Sequence, residues 1–204
     1  MRRKDREIAN IHKIEEILKN AKYMPLEMFD GEYPYVVPLH YGYQMENENV
    51  NVEISEMIVE LGTEKDIDHW INLVDKVKGN FPGLESEEAL EEHRKTVLEF
   101  MNKESAICAK TDNKIVGILL FSRENNTLCF LAVDTAYRRQ HIAEKMVSYM
   151  MKYMDSEKDI VVTTYRAGVP EGIAARLFYK KMGFVEGKLT EEFGSPVQEF
   201  ILRR

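Results

Sequence analysis

The sequence predicts a mixed α/β (α+β) fold, and two features carry that prediction. Three strand-length apolar segments follow one another, "SAICAK", "KIVGILLFS" and "TLCFLAV", joined by the short links "TDN" and "RENN" that favour antiparallel hairpins. The third segment then leads into an amphipathic helix and on to the strand "DIVVTTY", a strand–helix–strand run that implies a parallel crossover. The result is a mixed sheet with an antiparallel meander first and a parallel β-α-β crossover at its centre. A chain of 204 residues with 44% hydrophobic residues is long enough to bury one such core.

The elements follow in chain order. Residues 1–54 form an N-terminal accessory segment of different texture: Ile8, Ile11, Ile14, Ile17, Leu18 and Ala21 recur at helical spacing until Pro25 limits the helix. "FDGEYPYVVPLHYGY" then places a turn at Asp30-Gly31 before a β-like run, and the polar "QMENENVNVE" reads as a linker or irregular edge. One helix and one hairpin are too little to bury a core alone. In the main domain, residues 55–204, "EMIVELG" reads as a strand, and Thr63 with Asp66 starts a helix whose Ile67, Trp70, Ile71 and Val74 share a face up to "NFPG". "SEEALEEHRKTVLEFMNK" is a second helix, striped by Leu90, Val97 and Met101, with acidic residues near its N-terminus, where the dipole favours them. After the meander, Ala143, Met146, Val147, Met150 and Met154 stripe the crossover helix. The helix "EGIAARLFYKKM", a break at Gly183 and a last strand, "PVQEFILR", close the chain.

Charge and composition exclude several classes. A net charge of −7, from 35 acidic and 28 basic residues, argues against a general affinity for nucleic acid or anionic membrane, which needs a positive field. Cys108 and Cys129 sit inside apolar runs and read as small core hydrophobes, without the paired spacing of a metal site, so no metal is expected. The start lacks the apolar core of a signal peptide, and no apolar run approaches the roughly 20 residues of a membrane span, so a soluble, cytoplasmic protein is expected.

"AYRRQHIAEKM" carries the chemistry. A strand ending at Val133 that leads through "DTAYRRQHI" into a helix aims backbone N–H groups, which lack helical partners, at whatever occupies the helix N-terminus. Arg138 and Arg139 add charge suited to phosphate. The stretch resembles the signature of the GNAT acetyltransferase superfamily, in which a strand ending in Val is followed by R/Q-x-x-G-x-G/A and a helix that hold the pyrophosphate of acetyl-coenzyme A. Arg138 fits the first position, Arg139 and Gln140 the variable pair, His141 the first glycine, Ile142 the next variable place and Ala143 the last. His141 departs from the pattern, since glycine lets backbone approach phosphate closely. It is expected in the first helical turn with ordinary φ, as a tolerated substitution rather than a dedicated ligand.

A second segment, "AARLFYKKMGF", resembles the family's later pattern A-x-x-L/F-Y-x-K-x-G-F, matched by Ala175, Phe178, Tyr179, Lys181, Gly183 and Phe184. The resemblance covers about residues 55–204 and implies transfer of an acetyl group from acetyl-coenzyme A to a primary amine by direct attack. It further implies that backbone groups of Leu131, Ala132 and Val133 contact the pantetheine arm and polarise the thioester, and that Tyr179 protonates the departing thiolate. From helix spacing alone, Tyr179 would be a packing aromatic beside Phe178 and Leu177.

Two family positions fail. A glutamate about four residues before the Val is replaced by Cys129, so the general base stays unassigned; water, or Glu85, Glu87 or His93 of the helix pair, are the options beside a solvated acidic helix. An asparagine seven residues before the tyrosine is replaced by Gly172. "MRRKDREI" and "DGEYPYVVPLHYGY" resemble the start of nitroimidazole-resistance and pyridoxamine-phosphate-oxidase-like flavoproteins, but over about 45 residues only, so the segment reads as a truncated remnant, docked on the main domain or exchanged in a homodimer, without FMN. The alternatives are a non-catalytic acetyl-coenzyme A sensor and an FMN-binding redox protein. The acidic "GNFPGLESEE" and "EGKLTEEFGSP" point to a cationic acceptor, a small-molecule amine or a peptide amine.

Overall fold

The computed structural model describes residues 10–21, 24–29, 34–39, 41–46, 49–54, 57–81, 83–84, 86–192 and 194–204, and of 24–54 the backbone alone. The chain divides into two compact units, Met1–Glu56 and Met57–Arg204.

In the first unit, helix α1 (Ile11–Asn20) begins where the Asn10 side chain accepts from the Lys13 N–H at 3.2 Å, satisfying one of the free donors of the first turn. Strands β1 (Met24–Phe29) and β2 (Pro34–Leu39) pair antiparallel from Met24↔Leu39 to Phe29↔Pro34. The expected Asp30-Gly31 turn lies outside the described residues. Strands β3 (Tyr41–Glu46) and β4 (Asn49–Ile54) form a second antiparallel pair, from Tyr41↔Ile54 to Glu46↔Asn49. This corrects the reading of "QMENENVNVE" as a linker and of the extension as one helix and one hairpin. Val50, Val52 and Ile54 alternate with period two, a strand pattern hidden by the asparagines and glutamates between them.

The second unit is one seven-stranded mixed sheet in the order β10-β11-β9-β8-β7-β6-β5. Its strands are β5 (Ile58–Leu61), β6 (Ala106–Thr111), β7 (Lys114–Ser122), β8 (Thr127–Val133), β9 (Ile160–Tyr165), β10 (Val185–Glu192) and β11 (Ser195–Leu202). Its helices are α2 (Ile67–Val77), α3 (Glu87–Asn102), α4 (Ile142–Met150) and α5 (Ile173–Lys181). β5 to β8 are the antiparallel meander, β8 and β9 pair in parallel across α4, and β9, β11 and β10 return antiparallel. Strand β10 was not expected after the Gly183 break, and the acidic "EGKLTEE" lies within it rather than in a loop.

Two cores result. On one face of the sheet, Trp70, Leu73 and Val74 of α2 and Val97 and Met101 of α3 pack with Cys108, Ile118 and Ala132. On the other face, Ile142, Met146, Val147 and Met150 of α4 and Tyr179 of α5 pack with Ile107, Leu119, Val162 and Phe200. Gly117 lets α4 approach β7, because a Cβ there would lie 2.8 Å from both Ile142 and Met146 side chains. The α2 start is fixed as its sequence foretells: the Thr63 N–H and hydroxyl both donate to Asp66, at 2.9 and 3.1 Å, and Lys110 reaches the same carboxylate at 2.7 Å.

One clamp sets the start of the parallel pair. Asn126, 2% exposed, donates from Nδ2 to the Asp155, Lys158 and Asp159 carbonyls at 3.2, 2.8 and 3.2 Å, and accepts from the Asp155 N–H at 2.9 Å. A buried amide with all these groups satisfied fixes the loop before β9 against the start of β8.

Candidate active site

The parallel pair is short. β8 and β9 are in register only at Thr127↔Val161 and Leu128↔Val162, although β8 continues to Val133 and β9 to Tyr165. Beyond Leu128 the two strands part, leaving on facing edges backbone N–H and C=O groups that need water or a ligand. Leu131, Ala132 and Val133 from one side and Thr163, Thr164 and Tyr165 from the other line a cleft of about 700 Å³. That volume suits a small-molecule site.

At one end of the gap stands the N-terminus of α4. Asp134 follows β8, accepts from the Ala136 N–H at 3.0 Å, and is held by Lys76 of α2 at 3.2 Å. The Arg138 side chain is exposed, donates from Nε to the Val133 carbonyl at 3.4 Å, and lines the cleft together with Ala143. Arg139 and His141 have φ of 64° and 59°, in the left-handed region. This corrects the expectation of an ordinary φ for His141: the residue is the N-cap of α4, where the chain turns left-handed, and that is the conformation a glycine takes without penalty. The His141 ring turns to Glu144 at 2.9 Å, and Glu144 also pairs with Lys181 of α5. Lys181, and then His141, hold the Glu144 carboxyl below the usual carboxylate range. Of the remaining signature residues, Ile142 buries its side chain at 3% exposure, and Arg139 and Gln140 lie outside the cleft lining, so what this stretch offers an anion is backbone and the Arg138 guanidinium.

Tyr179 of α5, 5% exposed, also lines the cleft, with its ring 5.6 Å from Phe184 and 5.9 Å from Phe200. Burial pushes its phenol well above the ordinary tyrosine range, so it is protonated at neutral pH, the form that can donate. The side chain packs, as its helical spacing predicts, and it also lines the cleft. Arg176, unremarked in the sequence, anchors its helix: Nη1 donates to the Tyr165 carbonyl at 3.1 Å and to Gln198 at 2.8 Å, and Nη2 to Glu186 at 2.7 Å. Gly172 has a steric cause, since a Cβ there would lie 2.5 Å from the Tyr165 Cβ, and no asparagine fits while Tyr165 occupies that space.

The α2–α3 side of the cleft combines aromatic rings with the polar Asn80, Glu92, His93 and Thr96. Phe81 stacks on Phe130 of β8 with centroids 4.4 Å apart, and the His93 ring lies 5.1 Å from Phe130. Cys129 is exposed and lines the cleft, which corrects its assignment to the core; desolvation by the surrounding protein still pushes its thiol up to about 11. Cys108 is buried, with its thiol pushed up to about 12 by burial. Among the three suggested bases, His93 lines the cleft, Glu87 lies exposed on the first turn of α3 outside the cleft lining, and Glu85 lies outside the described residues.

Residues 102–186 match the family model described as an acetyltransferase (GNAT) domain. A GNAT-family acetyltransferase from Bacillus cereus ATCC 10987 superposes with a TM-score of 0.58 at 19% identity, over 73% of this chain and 98% of that one. The fold is the GNAT fold. The PaiA N-acetyltransferase of Thermoplasma acidophilum, solved with coenzyme A, matches with a TM-score of 0.54 at 16% identity, over 71% and 98%. Diaminobutyrate acetyltransferase EctA of Paenibacillus lautus, solved with L-2,4-diaminobutyric acid and coenzyme A, matches at 0.54 and 18%, over 73% and 95%. No curated protein matches by sequence. Among the described residues no helix is long and apolar enough to cross a membrane.

Proposed function

We propose that this protein is a cytoplasmic N-acetyltransferase that moves an acetyl group from acetyl-coenzyme A to a primary amine by direct attack. The observation that carries the reading is the parting of β8 from β9 into a cleft lined by Arg138 and Ala143 at the N-terminus of α4 and by Tyr179. The pyrophosphate is held by the N–H groups of residues 138–143 with Arg138 beside them, and the pantetheine arm lies along Leu131, Ala132 and Val133. A backbone N–H of that edge donates to the thioester oxygen and stabilises the charge that develops there. The amine nitrogen bonds to the carbonyl carbon, the C–S bond breaks, and the sulfur takes its proton from the Tyr179 hydroxyl, which is replenished from water. Residues 1–54 are an accessory unit, the protein forms a homodimer, and neither FMN nor a metal takes part.

The test is release of free thiol from acetyl-coenzyme A over a panel of amines, on the full chain. Amine-dependent release supports the transferase. Coenzyme A binding without release by any amine would instead favour a sensor, a reading to which the absence of a carboxylate from β8 lends weight.

A further inference from the structure

The acceptor half of the cleft has a composition of its own. Phe81 and Leu84, in the link between α2 and α3, Phe100 of α3 and Phe130 of β8 line it, with the Phe81 and Phe130 rings stacked on each other as a rigid apolar pair. Carboxylates also line the cleft: Glu92 of α3, Glu171 before α5 and Glu192 of β10. Glu92 is tied to Lys95 at 3.4 Å and Glu192 accepts from Thr163 at 2.9 Å. Acidic groups draw in a cation, whereas phenylalanine walls reward removal of apolar surface from water, about 25 cal/mol per Å². A polyamine, charged along its length, gains from the acidic groups alone; an amine on an apolar body gains from both.

His93 stands in the aromatic wall. Its Nε2 is enclosed and has no hydrogen-bond partner, so no hydrogen bond from that atom holds the ring in this orientation, and it meets a ligand in the cleft it lines once the ring turns. The ring packs on Phe130, the residue before Leu131, and so lies against the strand that lines the reacting half of the cleft. The other charged groups on the cleft are Glu92 on its own helix, Glu171, Glu192 and Arg138; burial alone lowers its pKa, which leaves the imidazole neutral at neutral pH.

We infer that the acceptor is a small primary amine carried on an apolar, aromatic-sized body, which packs against Phe81, Phe100 and Phe130 and passes its proton to His93. This rests on the proposed acetyl transfer. After the nitrogen has attacked the thioester carbon it bears a positive charge, and its N–H is far more acidic than that of the free ammonium. The imidazole takes that proton as the C–S bond breaks, then releases it to water, while the sulfur is protonated separately.

The experiment compares 2-phenylethylamine, spermidine and a short peptide beginning with phenylalanine, by thiol release and by calorimetric titration into the coenzyme A complex. The expected result is a kcat/KM for 2-phenylethylamine at least about tenfold above the other two; equal or better use of spermidine or the peptide overturns the inference. If no amine releases thiol, the acetyl transfer has failed, and the titration still decides the subsite: tighter binding of 2-phenylethylamine than of spermidine retains it, and absence of such binding overturns it. For the proton, His93→Gln should lower kcat by about 100-fold, as loss of a general base does, with amine and coenzyme A affinities kept within about twofold. The acid limb of the wild-type kcat/KM profile, where His93 becomes protonated, should vanish in the variant, while the alkaline rise from the amine itself stays in both. An unchanged acid limb overturns the role of His93.

Discussion

The two halves of the β8–β9 pair meet opposite fates. At the closed half, Asn126 ties the loop before β9 to β8, and Thr127↔Val161 and Leu128↔Val162 are in register. At the open half, residues 129–133 and 163–165 part and line a cleft. One half gives its polar groups to the protein, the other leaves them for a ligand, and the second depends on the first: strands can part in a defined geometry only if they are held together at one end. Stability and function therefore separate along a single strand.

The comparison can be broken hardest at the closed half. Asn126→Ala removes four hydrogen bonds made by a buried amide to the Asp155, Lys158 and Asp159 backbone, a loss of about 3 kcal/mol, expected as a lowered midpoint in urea unfolding. A midpoint unchanged within error would show that the clamp does not hold the pair. Tyr179→Phe at the open half should reduce turnover by about 100-fold, equal to about 2.7 kcal/mol, with coenzyme A affinity and unfolding midpoint kept; unaltered turnover removes Tyr179 as the acid. Cys129, first residue of the open half, is exposed yet its thiol is pushed up to about 11. At pH 8 it should react with iodoacetamide about ten times more slowly than glutathione, because scarcity of thiolate outweighs its greater nucleophilicity, and the rate should climb until near pH 11. A rate equal to that of glutathione would show an ordinary thiol. The smallest effect is expected at His141→Gly, where release from the left-handed conformation is offset by the greater freedom of glycine in the unfolded chain, for a net gain under about 1 kcal/mol. Coenzyme A affinity should hold or improve, and a tenfold fall by calorimetry would make the histidine a phosphate ligand.

Much of the second unit could be read from the sequence, because its helices and inner strands each bury one face and so carry a period. Strand β10 could not: it lies at the sheet edge, and its apolar Val185 and Leu189 are 51% and 60% exposed, so burial imposes no alternation. Cys129 was misplaced for a related reason, since an apolar run suggests burial but β8 loses its neighbour halfway. The φ of His141 was misread because a histidine in a first helical turn ordinarily takes a helical φ, and nothing in the local spacing marks the left-handed N-cap that the chain adopts there. Arg176 and Asn126 escaped because their partners come from distant segments, and no local spacing announces such contacts.

The Asn126 clamp has a kinetic consequence. Its partners lie 29 to 33 residues further along the chain, so its bonds close a loop that contains all of α4. Contacts of that separation reward the chain only after the loop has closed. The clamp belongs to the last steps of folding, and Asn126→Ala is expected to speed unfolding while leaving the folding rate nearly unchanged, the pattern of a contact absent from the transition state. A chevron whose folding arm falls instead would place the clamp in the nucleus.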